Sequence, residues 1–222
     1  MRTNVEGSKV TGQPMMGDTL YGIDRCPHCG IATPNMNRMW ASDGPSPRRD
    51  GGRAIYWGCY RCARCGAATI VSADATSARY FEVDACFPEP KQAHADVPEP
   101  ANRFLQQAFD TLHAPDAAAV MAGSAVDAML KEKGLSEGSL YTRIDQALTA
   151  NMLTQGMADW AHSVRLGSNR PRHADAENPH VSASEAKQSV DFAEALANFL
   201  FVLTARIERG LQKAAKAPAA AK

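Results

Sequence analysis

The residues of this sequence best suited to bind a metal are its six cysteines, four of which form two C-x-x-C-G motifs. Cys26 and Cys29 make the first motif, and Cys62 and Cys65 make the second. Zinc prefers four tetrahedral ligands, and four thiolates leave no coordination position free for a water nucleophile. The spacing therefore predicts a single structural zinc site with these four cysteines as its ligands.

The choice of ligands in the second motif has an alternative, because Cys59 adds a third cysteine at the same three-residue spacing. A glycine follows the second cysteine of each motif, Gly30 in the first and Gly66 in the second. This match favours Cys62 and Cys65 as the ligands. Cys59 is then a strand residue, a thiol that faces away from the metal, or an alternative ligand.

A second group of candidate residues lies in the polar run 163–183, which is expected to connect two helices. An arginine, an amide and a histidine follow one another there at four-residue steps, and two further arginines lie between them. A guanidinium can bind phosphate through two parallel hydrogen bonds, and an imidazole can move a proton near neutral pH. An ordinary solvated loop is the alternative interpretation. The candidate residues are Arg165, Asn169, Arg170, Arg172 and His173.

Short strands and turns surround the two cysteine motifs, an arrangement typical of a zinc ribbon. Strands are predicted over 53–61, 68–73 and 79–84. Because the segment has few apolar residues to bury, metal binding is expected to contribute directly to its folding. The predicted boundaries are a flexible tail at 1–17 and the ribbon at 18–86.

Apolar residues recur at helical spacing after a proline-rich linker at 87–100, and they predict a bundle of five helices over 101–213. Asp116 is expected to cap the second helix, and a disordered tail is expected at 214–222. The fold class is therefore α+β, with a small N-terminal β zinc ribbon followed by an all-α bundle. The helices are expected at 102–114, 117–134 and 139–152, from about Thr154, and from Ser182 or Ser184 onward.

The overall charge requires neither a nucleic acid nor a membrane as partner, because Lys plus Arg equals Asp plus Glu at 24 each. Any such partner must therefore be bound by a local patch. The N-terminus has no apolar run of signal-peptide length, and the apolar stretch 192–207 is interrupted by charged residues. A cytoplasmic protein is expected, and in a reducing compartment paired cysteines favour metal over disulfide.

The helices from about 101 to 209, the segment LYTRIDQAL and the R-x-x-x-N-x-x-x-H run resemble a bacterial family called domain of unknown function 4145. A cysteine ribbon like the one predicted here often precedes the helices of that family. The family in turn resembles the HEPN superfamily of helical bundles, many of which are RNA-cutting toxins, defence nucleases or inactive partners of these. The resemblance implies a homodimer formed through the bundle and a role in prokaryotic defence or stress.

HEPN ribonucleases use an arginine, a polar residue and a histidine across a homodimer, without a metal. Carried over to this sequence, Arg165 would hold the phosphate, Asn169 would position the substrate, and His173 would move the proton. Seven residues separate Arg165 from His173, one more than that motif usually has. We therefore expect first a protein that binds RNA, another nucleic acid or a partner protein without catalysis or with weak catalysis. The alternatives are a metal-independent endoribonuclease and a purely structural loop.

Overall fold

The computed structural model describes residues 14–74 and 81–216, and the chain divides after Pro90 into two compact units. The N-terminal unit contains a β-sheet and the second unit is helical, which confirms the α+β prediction. Each unit has its own apolar core. The larger core lies among the helices, and the smaller one includes three of the cysteines.

The N-terminal unit is built on a five-stranded antiparallel sheet in the order β1-β5-β4-β3-β2. Tyr60 fills the centre of its core, where it is 1% exposed, and its hydroxyl donates to the carbonyl of Gly17 at 2.9 Å. The strands are β1 (Met15–Met16), β2 (Met36–Ala41), β3 (Ile55–Cys62), β4 (Ala68–Asp74) and β5 (Phe81–Phe87).

The three predicted strands correspond to β3, β4 and β5, whereas the two edge strands were not predicted. Residues 79–80 of the third predicted strand lie outside the described residues. Strand β2 buries only Met36 fully, so it lacks the alternation that marks a strand in sequence. Met16 is buried and pairs with Phe81, so the predicted tail at 1–17 is too long at its C-terminal end. Residues 1–13 lie outside the described part of the chain.

The helical unit contains the five predicted helices, and the last of these continues through a π-helical turn, Asn198–Val202, into α6. Helix α2 lies at the centre of the unit and packs against α1, α4 and α5. The helices are α1 (Ala101–Asp110), α2 (Pro115–Glu132), α3 (Leu140–Thr149), α4 (Gln155–His173), α5 (Ala183–Ala197) and α6 (Leu203–Lys216).

Small residues on α2 allow α4 to approach it closely. A Cβ atom added at Gly123 would lie 2.5 Å from the hydroxyl oxygen of Ser168 on α4, so the position requires glycine. Ser168 itself is buried and donates back to the carbonyl of Arg165 at 3.0 Å. This contact fixes the helical turn that carries the candidate residues.

Helix α4 is longer than predicted, because the first half of the expected connection 163–183 is helical. Buried Val164 and Ser168 pack this turn of α4 into the bundle, and tertiary packing outweighs the low helix propensity of Gly167 and Pro171. The helix ends at Ala174, which adopts a left-handed conformation with φ of 46°. An alanine gives no sequence signal for such a helix end, where glycine is usual.

Other predicted boundaries also change. Val97 is 4% exposed and packs into the helical core, so the predicted linker at 87–100 is partly an ordered element of the helical unit. Asp116 lies in the first turn of α2 and does not cap it, because its carboxylate accepts from the amide of Val181 at 2.8 Å. Helix α6 extends to Lys216, so the predicted tail at 214–222 begins too early, and 217–222 lie outside the described residues.

Candidate metal centre and arginine face

The two C-x-x-C-G motifs fold into matching turns. The amide of Gly30 donates to the carbonyl of Cys26 at 3.0 Å, and the amide of Gly66 donates to that of Cys62 at 2.9 Å. Both glycines have positive φ, 69° and 75°, which other residues adopt only with strain. The glycine match noted in the sequence thus reflects one repeated local structure.

The sulfur atoms of the four predicted ligands converge, and all lie within 4.8 Å of one another. The Cys26 and Cys65 sulfurs are 3.9 Å apart. Tetrahedral coordination with Zn–S bonds of about 2.3 Å would place the sulfurs about 3.8 Å apart. The four cysteines can therefore bind a metal ion with little rearrangement.

Backbone amides face the first cysteine of each motif. Burial raises the pKa of the Cys26 thiol, and the amides of Cys29 and His28 oppose the shift. Burial also acts to raise the pKa of Cys62, but the amides of Cys65 and Arg64 and the thiols of Cys26 and Cys65 together lower it. The turns thus direct hydrogen-bond donors at the atoms that would carry thiolate charge.

The other two cysteines lie in strands. Cys59 is in β3, paired with Trp40 on one side and Ile70 on the other. The Cys86 thiol in β5 donates to the carbonyl of Pro88 at 3.4 Å. Within residues 14–74 and 81–216, the group of metal-ligating side chains found consists of the four predicted cysteines and does not include Cys59.

Four of the five polar candidates share one side of α4, which we call the arginine face: Arg165, Asn169, Arg172 and His173. The last three lie four, seven and eight residues after Arg165, which places all four side chains within an arc of about 100° around the helix axis. Arg170 lies outside this arc. The helix thus brings together residues that were predicted to lie in a loop.

Arg165 is half-buried on this face, and its guanidinium carbon lies 5.3 Å from the centre of the Tyr141 ring. Its Nε atom is buried and has no hydrogen-bond partner. The stacked ring accounts for one side of the guanidinium but provides no counter-charge comparable to a carboxylate. Arg165 is therefore a half-buried cation that forms no ion pair with a carboxylate within the described residues.

The remaining residues of the face are more accessible. Asn169 is half-buried, whereas Arg172 and His173 are exposed at the C-terminal end of α4. The Arg172 guanidinium makes a long hydrogen bond of 3.5 Å to the hydroxyl of Ser124. The backbone rises about 12 Å between Arg165 and His173, so the face is a row rather than a compact cluster.

Arg170 has a different environment from Arg172. It donates to the carbonyl of Asn178 at 3.2 Å, to the carbonyl of His180, and to the carboxylate of Glu185 at 2.8 Å. Hydrogen bonds from the Arg170 guanidinium and from Ser182 lower the pKa of Glu185 to about 2. Arg170 thus joins α4 to the connection 174–182 and to the start of α5.

Residues 106–214 match the model of a family described as a domain of unknown function, DUF4145. The helical unit carries a DUF4145 domain. No curated protein and no solved structure matches the chain. None of the described helices combines the length and apolar character needed to cross a membrane.

The DUF4145 domain also contains a polar group beside Arg165 that was not predicted from the sequence. His162 Nε2 lies 3.1 Å from a carboxylate oxygen of Asp145, and its ring centre lies 4.8 Å from that of Tyr141. The His162 Nδ1 atom is buried without a partner. The three-residue spacing of His162 and Arg165 on a helix was the available signal, but it required knowing that α4 continues through this segment.

A buried ion pair joins α2 to α3 in the same domain. Arg143 is 6% exposed, and its Nε donates to Asp127 at 2.9 Å. Its Nη1 donates to the carbonyl of Gly138 at 2.5 Å in the connection before α3. Since every side of this guanidinium is occupied, Arg143 fixes α3 in place and does not present a free cation.

Proposed function

We propose that the protein binds nucleic acid through backbone phosphates, using the arginine face of the DUF4145 domain. In this proposal Arg165 and Arg172 bind phosphate, and Asn169 and His173 supply neighbouring hydrogen bonds. Binding without catalysis, or with weak catalysis, is the primary function. A zinc ion bound by the four clustered cysteines maintains the fold of the N-terminal unit, and a protein partner is a further possibility for that unit.

The observation that carries the proposal is a half-buried arginine without an anion. Arg143, Arg170 and Arg209 of the helical unit pair with carboxylates. Over the described ranges, neither arginine of the arginine face forms an ion pair. Arg103 and Arg206 form none there either, but both are exposed, whereas Arg165 is half-buried. A half-buried guanidinium without an anion is unfavourable, and a phosphate would supply both charge and bidentate acceptors.

The length of the face favours binding over cleavage. Cleavage requires one phosphate to be within reach of both the arginine and the histidine, whereas Arg165 and His173 are separated by a helix rise of about 12 Å. A nucleic-acid strand carries one charge about every 3.4 Å along its duplex axis. A row of this length fits several successive phosphates more readily than it fits a single reacting one.

Salt-dependent binding to a mixed-sequence single-stranded RNA tests the proposal. Arg165→Ala and Arg172→Ala should each weaken binding and reduce the slope of log K against log salt by roughly one. Arg206→Ala is the matched control, since it removes the same charge from an exposed position on α6. Equal losses in all three variants, or no binding by the wild type, would exclude the arginine face.

A metal-independent endoribonuclease is the second candidate, because exposed His173 shares the arginine face with Arg165 and Asn169. In a homodimer, His173 of one copy would accept the proton of a ribose 2′-hydroxyl as it attacks the adjacent phosphate, and Arg165 of the second copy would stabilise the phosphorane. The 5′-oxygen would leave with a proton, giving a 2′,3′-cyclic phosphate. Incubation of RNA with the protein in EDTA should then give fragments with that end group, lost in His173→Ala and retained in His180→Ala.

The zinc proposal rests on the donor set. Four sulfur atoms within 4.8 Å of one another suit zinc, and a closed shell of thiolates supplies structural stability rather than a reactive water. No step of the ribonuclease reaction involves these cysteines. Metal analysis of the purified protein should show one equivalent of zinc per chain.

A further inference from the structure

An open cleft lies between α1, α2 and the start of α3 in the helical unit, with a volume of about 470 Å³. Sites for small ligands commonly have volumes of about 300 to 1,000 Å³. Apolar side chains form much of the wall, among them Phe104, Ala128 and Leu140. Arg172 of the arginine face also lines the cleft, so the cleft and the face are continuous.

The charged groups of the cleft are mostly neutralised by one another. Asp127 accepts from buried Arg143 and also pairs with Lys131 at 2.6 Å. Two lining groups form no ion pair within the described residues, the exposed carboxylate of Glu132 and the guanidinium of Arg172, which makes a 3.5 Å hydrogen bond to Ser124. The cleft therefore presents an apolar interior beside a guanidinium that is available for an anion.

A ligand that matches this arrangement has a flat apolar part and an adjacent negative charge. We propose that the cleft receives the base of an unpaired nucleotide whose phosphate is bound by Arg172. This inference rests on the proposed binding of nucleic acid by the arginine face and specifies its substrate class. The base would contact Phe104 and Leu140, while the strand would continue along α4 toward Arg165.

The proposal requires single-stranded nucleic acid. A base in a duplex is stacked between its neighbours and paired, so that it cannot enter a side cleft without being extruded at an energetic cost. In a single strand the base is free to leave the backbone, and contact with apolar or aromatic side chains stabilises it. A protein that contacted phosphates alone would make no such distinction.

Two small probes separate the base from the phosphate. Adenosine 5′-monophosphate and ribose 5-phosphate share the sugar phosphate, and only the first carries a base. The full-length protein should bind adenosine 5′-monophosphate about tenfold more tightly, measured by calorimetry or by NMR titration, since contact with one base stabilises a complex by roughly this factor. Arg172→Gln should weaken binding of both probes, and Arg206→Gln should leave both unchanged.

Variants of the cleft wall test where the base binds. Phe104→Ala removes the ring that the base would contact, and Leu140→Ala removes another part of the apolar wall. Each should reduce the preference for adenosine 5′-monophosphate to less than threefold while the affinity for ribose 5-phosphate stays the same. Circular dichroism verifies folding, and Leu140→Ala still provides the test if Phe104→Ala unfolds.

The outcomes distinguish the two proposals. Equal binding of both probes by the wild type, or an unchanged preference in a folded cleft variant, overturns base binding in the cleft but leaves phosphate binding by the arginine face intact. Absence of binding to both probes and to single-stranded RNA overturns both. Equal affinity for a single strand and its duplex also contradicts the cleft proposal.

Discussion

At the scale of single residues, the arginines of α4 show that neighbouring residues of one type can have different roles. Arg170 and Arg172 are two positions apart and were predicted together as binding residues. Arg170 contacts the connection between α4 and α5 and pairs with Glu185, whereas Arg172 projects toward Ser124 and the cleft. Their difference follows from the 200° that separates positions two apart on a helix.

Arg170→Ala should therefore affect mainly the stability of the fold, whereas Arg172→Ala should affect mainly nucleic-acid binding. Loss of Arg170 removes charge-assisted hydrogen bonds and should lower the free energy of unfolding by about 1–3 kcal/mol, with little change in nucleic-acid binding. Loss of Arg172 should weaken binding and leave the unfolding free energy nearly unchanged. Chemical denaturation and RNA titration of both variants measure the difference, and a shared effect on stability alone would contradict the assignment.

The cysteines provide a second residue-scale prediction. Cys62→Ser removes one of four converging sulfurs, whereas Cys59→Ser changes a strand residue that lies outside the cluster. Zinc analysis should give about one equivalent per chain for Cys59→Ser and substantially less for Cys62→Ser. The reverse result would exclude Cys62 as a ligand and place Cys59 in the site instead.

At the scale of elements, helix starts were easier to predict than helix ends. Thr154 and Ser182 carry side chains that accept hydrogen bonds from the first turn of α4 and α5, so the sequence marks these starts directly. The end of α4 at Ala174 lacks the usual glycine, so its sequence signal is limited to the basic residues of the last turn. This single missed boundary explains why Arg165, Asn169 and His173 were predicted in a connection although they lie on a helix.

The metal ligands and the cleft show the same contrast. Local motifs predicted Cys26, Cys29, Cys62 and Cys65, because the turn geometry depends on residues adjacent to the cysteines. The cleft combines residues from four helices, and nothing in their spacing along the chain connects them. The edge strand β2 was missed for a related reason, since pairing with β3 stabilises it without regular alternation of buried residues.

The ionisation of Glu185 at the start of α5 predicts how the stability of the fold changes with pH. The amide of Ser182 and the guanidinium of Arg170 bind the charged form of Glu185, so its pKa falls from an ordinary 4.5 to about 2. A carboxyl with a lowered folded-state pKa stabilises the fold above its ordinary value, and this contribution is lost as pH falls through 4.5 toward 2. Glu185→Gln should thus reduce the melting temperature at pH 6, with the difference from wild type shrinking toward pH 2.

A matched substitution isolates this effect. Glu177→Gln removes an exposed carboxylate from the connection before α5 but leaves the capping hydrogen bonds of Ser182 and Glu185 intact. Its melting temperature should follow that of the wild type across the same pH range. A constant difference between wild type and Glu185→Gln from pH 6 to pH 2 would show that ionisation of Glu185 does not contribute.

At the scale of the whole molecule, the two units differ in what holds them together. The helical unit has an extensive apolar core in which α2 packs against α1, α4 and α5. The core of the N-terminal unit is smaller and includes Cys26, Cys29 and Cys62. Small domains with limited cores often depend on a bound metal for stability. The proposed zinc site therefore concerns the stability of one unit, and the arginine face belongs to the other.

Removal of zinc should consequently unfold the N-terminal unit while the DUF4145 domain stays folded. The binding free energy of a structural zinc ion is coupled to folding, so a strong chelator should abolish hydrogen-exchange protection in β3 and β4. Protection in α2 and RNA binding by the arginine face should persist, because their contacts lie within residues 91–216.

Cys62→Ser should reproduce the effect without chelator, and Cys59→Ser should not. Loss of protection in α2 on chelation would show that the metal supports the entire chain, and loss of RNA binding alone would place the nucleic-acid site in the N-terminal unit.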